Sequence, residues 1–228
     1  MFELRIVLSF ALLTIAALAH AKEYGHYDLT KIVTVSESPD GKRAATVNFV
    51  LLNDVLNDLS IHNNNYPSQF DSAADRERAV ADVTAISTML DVFVDTPAPD
   101  LQLLIRAAVL YGIGHNLDVP GAAEKAMSAF TTLLNKTPDD PRANYLYGKF
   151  LLSAGKLRDA IPALEKAKSL GAVLADYSLG VAYILVGDKN KALENLQQYA
   201  KQAPDDGSAA KLIDAIRSGE IEFKTGTP

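Results

Sequence analysis

Cysteine and tryptophan are both absent from the 228 residues. Without cysteine the chain has no disulfide, no thiolate nucleophile and no cysteine-ligated zinc. Histidine is scarce, with four in all, and His26, His62 and His115 are too scattered to give a two-histidine metal-binding spacing. A basic excess is missing as well: 22 Lys and Arg against 28 Asp and Glu leave a net charge of −6. That balance argues against nucleic acid as a partner and gives no support for an anionic membrane surface. Gly112-Ile113-Gly114 lacks the third glycine and the preceding strand of a dinucleotide-binding turn. No serine sits in a nucleophile-elbow pattern. These absences point to a chain with no cofactor, no metal and no catalytic residues.

Long apolar runs are lacking too, except at the N-terminus. Ile6 to Leu18 is apolar apart from Ser9 and Thr14, which is short against the roughly 20 residues of a spanning helix. Arg5 gives it a basic start, offset by Glu3, and Ala19-His20-Ala21 supplies a small-x-small cleavage pattern. The expectation is a secretory signal over residues 1–21, cleavage after Ala21, and a periplasmic or secreted chain beginning at Lys22 with no stable membrane anchor. An uncleaved anchor is the competing reading. The missing cysteine excludes a bacterial lipoprotein anchor here. The Asn135-Lys136-Thr137 sequon would matter only in a eukaryotic source.

What the sequence does contain is a repetition. Gly148, Gly155, Ala160 and Leu164 recur as Gly180, Gly187, Ala192 and Leu196, each pair 32 residues apart. A period in the thirties marks stacked helical hairpins. Helices that cross closely need small residues at the contact, and Gly155 and Gly187 fall where a first helix must stop and reverse. The pattern resembles the tetratricopeptide repeat. Tyr147-Gly148 and Leu179-Gly180 stand at its large–small pair, Ala160 and Ala192 at the small residue of its second helix, and Pro204 at its closing proline. The resemblance covers roughly residues 107–206, and the first copy is degenerate around Pro120. It implies an all-α, right-handed helical-hairpin solenoid, in which each hairpin buries its apolar face only against a neighbour.

Around the repeats, residues 22–99 read as an N-terminal segment with a helical hairpin. Ile32 to Val35 is a short extended stretch and Ser38-Pro39-Asp40-Gly41 a turn signal. The chain beyond the turn suits a helix from about Ala45 to His62 better than a returning strand. Asp71 or Ser72 can cap a second helix whose buried face reads Val83, Ile86, Leu90, Phe93 and Val94. Residues 100–218 hold three repeats and a capping helix from Ser208 to Ser218, with Asp140-Pro141 as a favoured helix start. Residues 219–228 read as a flexible tail.

The resemblance also implies where a partner would bind, since the first helices of successive hairpins line a concave face in that family. Register on the glycines places Tyr111, Tyr145 and Tyr177 in one row and His115, Lys149 and Val181 in the next, with Arg142 at the entrance of the second copy. Tyrosine combines a broad ring with a hydrogen-bonding hydroxyl, which suits recognition. The same tyrosines have a plain structural reading as packing between helices. Tyrosines also stand where one branch of the family has the basic residues of a carboxylate clamp. The expected function is protein or peptide binding in the bacterial envelope, as a scaffold or assembly adaptor. Rival readings are a glycan-binding or enzyme-accessory protein using the tyrosine row, a hydrolase built on Asp54, Asp58 and His62, and self-association. Asp54 and Asp58, flanked by Asn53 and Asn57, read better as a solvated helix face.

Overall fold

The computed structural model describes residues 23–63 and 67–223. The expected signal and its cleavage site lie outside the described residues, as do residues 224–228 of the expected tail. A short 3-10 turn (Leu29–Lys31) leads into a two-stranded hairpin, β1 (Val33–Glu37) and β2 (Arg43–Val47). Among the described residues, nine α-helices follow: α1 (Phe49–His62), α2 (Ala73–Val94), α3 (Leu101–Asn116), α4 (Ala122–Lys136), α5 (Pro141–Ser153), α6 (Leu157–Ser169), α7 (Leu174–Val186), α8 (Lys189–Gln202) and α9 (Ser208–Ser218). The architecture is a helical-hairpin solenoid carrying one small antiparallel sheet. Among the described residues no helix is long and apolar enough to cross a membrane.

The hairpin corrects the expected helix start. Gly41, at φ +79°, closes the turn, and the backbone of 43–47 pairs with β1 from Val33↔Val47 to Glu37↔Arg43. Asn48 then caps α1, its side chain accepting from the Leu51 amide at 3.1 Å. The apolar periodicity of that stretch is real, but the cap starts the helix at Phe49. Other helix starts follow the sequence chemistry. Ser72 accepts from the Asp75 amide at 3.1 Å, Asp100 from Leu103 at 2.9 Å and Asp140 from Ala143 at 2.7 Å, with Pro141 in the first turn.

α3 packs on α4, α5 on α6 and α7 on α8, while α3, α5 and α7 also touch in succession. Gly148 and Gly180 explain how closely these hairpins close. A Cβ at Gly148 would lie 2.7 Å from Leu164 Cγ, and one at Gly180 2.5 Å from Leu196 Cγ. The left-handed turns fall at Gly155 (φ +70°) and Gly187 (φ +85°). The core divides within α6: Ala160 belongs to a cluster running from Tyr24 through α5, and Leu164 to a second cluster reaching Ile216. α9 packs on α8, and beyond it Ile221 and Phe223 lie against the second cluster instead of extending into solvent.

The N-terminal segment stands between α1 and α2. Tyr24 is fully buried, its ring edge-on to His62 of α1 at 6.0 Å and its hydroxyl donating to Asp82 of α2 at 2.9 Å. Asp58 accepts from the Gly25 amide and the Tyr27 hydroxyl, each at 2.8 Å. Asp58 is therefore a buried structural carboxylate, not part of a solvated face, whereas Asp54 is exposed. The helical pattern of α1 says nothing about a distant segment folding over it. His62 is likewise interior, stacked on Phe70 at 4.7 Å.

Candidate functional site

The surface shared by α3, α5 and α7 is the candidate site, since these first helices run side by side through the repeats. Their partly exposed positions follow a three- and four-residue rhythm, which places them on one stripe of each helix. On α5 this stripe carries Arg142, Tyr145, Lys149 and Leu152, and on α7 it carries Leu174, Tyr177, Val181 and Leu185. The second and third copies stand in the register the glycines imply, because Gly148 faces Leu164 as Gly180 faces Leu196.

The first copy does not. A Cβ at Gly114 would meet Ala122 of α4 and Val83 of α2, so this glycine is not the counterpart of Gly148. α3 is longer than α5, and residues 117–121 separate it from α4, against only 154–156 between α5 and α6. Those extra residues rotate the α3 positions relative to the later copies. Tyr111 is buried, its hydroxyl donating to Asp91 of α2 at 2.6 Å and Lys125 of α4 lying over its ring. Burial and the Asp91 carboxylate push its phenol well above the ordinary range. His115 is half-buried, edge-on to Phe150 at 6.0 Å, beside a shallow depression of about 540 Å³ lined also by Asp118 and Ser153. The structure thus buries Tyr111 away from the other predicted residues, while His115 stays half-buried against Phe150 of α5. The partly exposed stripe of α3 is instead Gln102, Arg106, Val109 and Gly112. A register set on Gly114 does not reach Arg106. The longer helix and the Pro120-Gly121 insertion are the sequence signal for it.

Tyr145 and Tyr177 do come together. Both lie half-buried against the second cluster, and the Tyr177 ring is 5.3 Å from that of Tyr199 on α8. Burial raises both phenols, and for Tyr177 the Asp206 carboxylate adds to it. Tyr199 donates to Asp206 at 2.6 Å, which pushes its phenol up to about 12. Tyr145 and Tyr177 are therefore partly withdrawn from solvent.

The electrostatics of this surface run against those of the chain. α3 and α5 contain no Asp or Glu, and the one acid of α7, Asp176, is buried and paired with Lys168 of α6 at 2.8 Å. Among the described residues neither Arg142 nor Lys149 has a carboxylate partner. Arg106 Nε donates to Asn53 of α1 at 2.8 Å, and its guanidinium lies over the Phe49 ring. Lys149 is open to solvent, yet surrounding protein lowers its ammonium below the ordinary lysine range. Among the described residues no group of His, Asp and Glu could hold a metal ion.

No protein-family model matches the sequence, and no curated protein matches it. Solved structures do. A crystal structure of MamA, a tetratricopeptide-repeat protein, superposes with a TM-score of 0.53 at 20% identity, covering 67% of this chain and 86% of the other. A second MamA structure gives 0.46 at 21% identity, covering 64% and 74%. The first likeness establishes a tetratricopeptide-like solenoid as the fold of this chain.

Proposed function

We propose that the chain is an exported scaffold that holds a segment of another protein along the surface of α3, α5 and α7. The observation that carries this reading is the row of unneutralised or apolar groups on adjacent first helices: Arg106, Arg142, Lys149, Leu174, Val181 and Leu185. Arg142 and Lys149 have no carboxylate partner among the described residues, and Leu174 and Leu185 are exposed, so a partner that covers them breaks no internal ion pair or core contact. The leader-like N-terminus supports a place in the bacterial envelope, where the chain would act in assembling a larger complex.

The test is a site-specific photocrosslinker at Val181 and, as a control, at the exposed Gln198 on α8. Expected is a discrete adduct from Val181 in envelope extract, absent from Gln198 and lost in a folded Tyr145→Ala, Lys149→Ala, Tyr177→Ala variant. Adducts only from Gln198 would move the interface to the second helices and end this reading. The intact mass of the purified envelope form should match a chain beginning at Lys22.

Glycan binding through the tyrosine row fits less well. Ring stacking on sugars needs open aromatic faces, and Tyr111 is buried while Tyr145 and Tyr177 are half-buried.

A further inference from the structure

The surface of the first helices is not uniform along the solenoid. At the α7 end Leu174 is 51% exposed and Leu185 42% exposed, with Val181 between them. One helix back, α5 presents Arg142 and Lys149, and α3 presents Arg106. The acids just before Arg142 in sequence are already engaged: Asp139 pairs with Lys166 of α6 at 3.2 Å, and Asp140 caps α5. A net charge of −6 for the whole chain makes this local cationic stretch less expected and more selective.

We propose that the partner segment is amphipathic and acidic, with its apolar side chains over Leu174, Val181 and Leu185 and its carboxylates over Arg142, Lys149 and Arg106. This rests on the scaffold function proposed above and adds the chemistry and direction of the occupant. Carboxylates on the ligand supply what the cations lack within the chain, and the apolar half covers the exposed leucines. The lowered ammonium of Lys149 agrees with this, because an anion placed beside it would restore its ordinary basicity. Neighbouring helices lie about 8–10 Å apart. An extended segment advances about 3.3 Å per residue, so its acidic and apolar positions should be separated by about three residues. The recognised groups are side chains, so a free C-terminus is not required.

The test uses fluorescein-labelled, C-terminally amidated peptides and fluorescence anisotropy on the mature chain. One peptide carries Leu and Phe in one half and Glu in the other; a second replaces Glu by Lys; a third replaces the apolar residues by Ser. The first should bind at least about tenfold more tightly than either of the others. An Arg142→Glu, Lys149→Glu variant should reverse the order of the first two, and Leu174→Asp should weaken the first peptide. Circular dichroism melts confirm that each variant is folded. If the Glu and Lys peptides bind equally and Leu174→Asp abolishes both, the scaffold function stands and the acidic partner falls. Equal binding of the Ser peptide or of polyglutamate reduces the effect to bulk charge and overturns the proposal. If no peptide binds and the chain instead sediments with phosphatidylglycerol vesicles, both readings fall.

Discussion

Gly148 and Gly180 show how single atoms set the spacing of this molecule. A methyl group at Gly148 would also press on the Leu164 backbone nitrogen at 3.2 Å, so rotating the leucine away does not relieve it. Gly148→Ala and Gly180→Ala should each cost about 1–3 kcal/mol through overpacking. Gly112 is the contrast: its Cβ would meet only Phe150 Cδ2 at 3.5 Å, ordinary contact within a helix. Gly112→Ala should therefore stabilise the chain by about 0.5–1 kcal/mol. Urea midpoints of the three variants check the opposite signs. Lys149 makes a different point. Its ammonium is partly desolvated with no carboxylate partner among the described residues, so it adds no stability. Lys149→Met should leave the urea midpoint unchanged or higher while weakening the acidic peptide.

At the scale of elements, α1 and α2 are joined through the segment that precedes them. Tyr24 contributes its buried ring, Arg78 donates to the Tyr24 carbonyl at 2.6 Å, and Arg78 pairs with Asp75 at 2.5 Å. Tyr24→Ala should cost about 3–5 kcal/mol, the range for removing a buried aromatic side chain. Tyr24→Phe should cost about 1–3 kcal/mol, because Asp82 loses its donor. Hydrogen exchange in α1 and α2 should rise in both variants, more in the first. The turn between α8 and α9 has its own lock, the Tyr199–Asp206 hydrogen bond. Ser208 and Tyr199 hold the Asp206 carboxyl down to about 2, against 3.8 unperturbed. A depressed carboxyl contributes stability above its unfolded value, which is lost as pH falls through the folded one. Wild type should exceed Asp206→Asn in urea midpoint at pH 6, and the gap should close between about pH 4 and 2.

Over the whole molecule, the division of the core within α6 leads us to expect that the C-terminal hairpin opens as a separate unit. In a stacked array each hairpin is held mainly by its neighbours, so an end can open while the rest persists. Leu196 is fully buried in the second cluster. Leu196→Ala should cost about 2–5 kcal/mol, and the loss should appear as faster hydrogen exchange in α7 to α9 with α1 to α5 still protected. Uniform loss of protection would show one cooperative core instead. The α7 surface that the proposals need belongs to this less anchored end, so partner binding should slow exchange there most.

The solenoid is legible from the residues alone, because the 32-residue repetition carries the contacts that close each hairpin. Gly148 with Leu164 and Gly180 with Leu196 are separated by the same interval within each copy, and such near-sequence spacing survives reading without coordinates. Helix caps at Ser72, Asp100 and Asp140 are local in the same way, each set by atoms three residues away. The tertiary structure alone decided what depends on distant segments. Asp58 looks solvated on its own helix and is buried only because residues 24–27 fold over it. Tyr111 matches the later tyrosines in spacing but faces Asp91 and Lys125, because a longer α3 and its following loop turn the helix relative to its neighbours. Local chemistry is written along the chain, while the facing of a helix depends on every residue that packs against it.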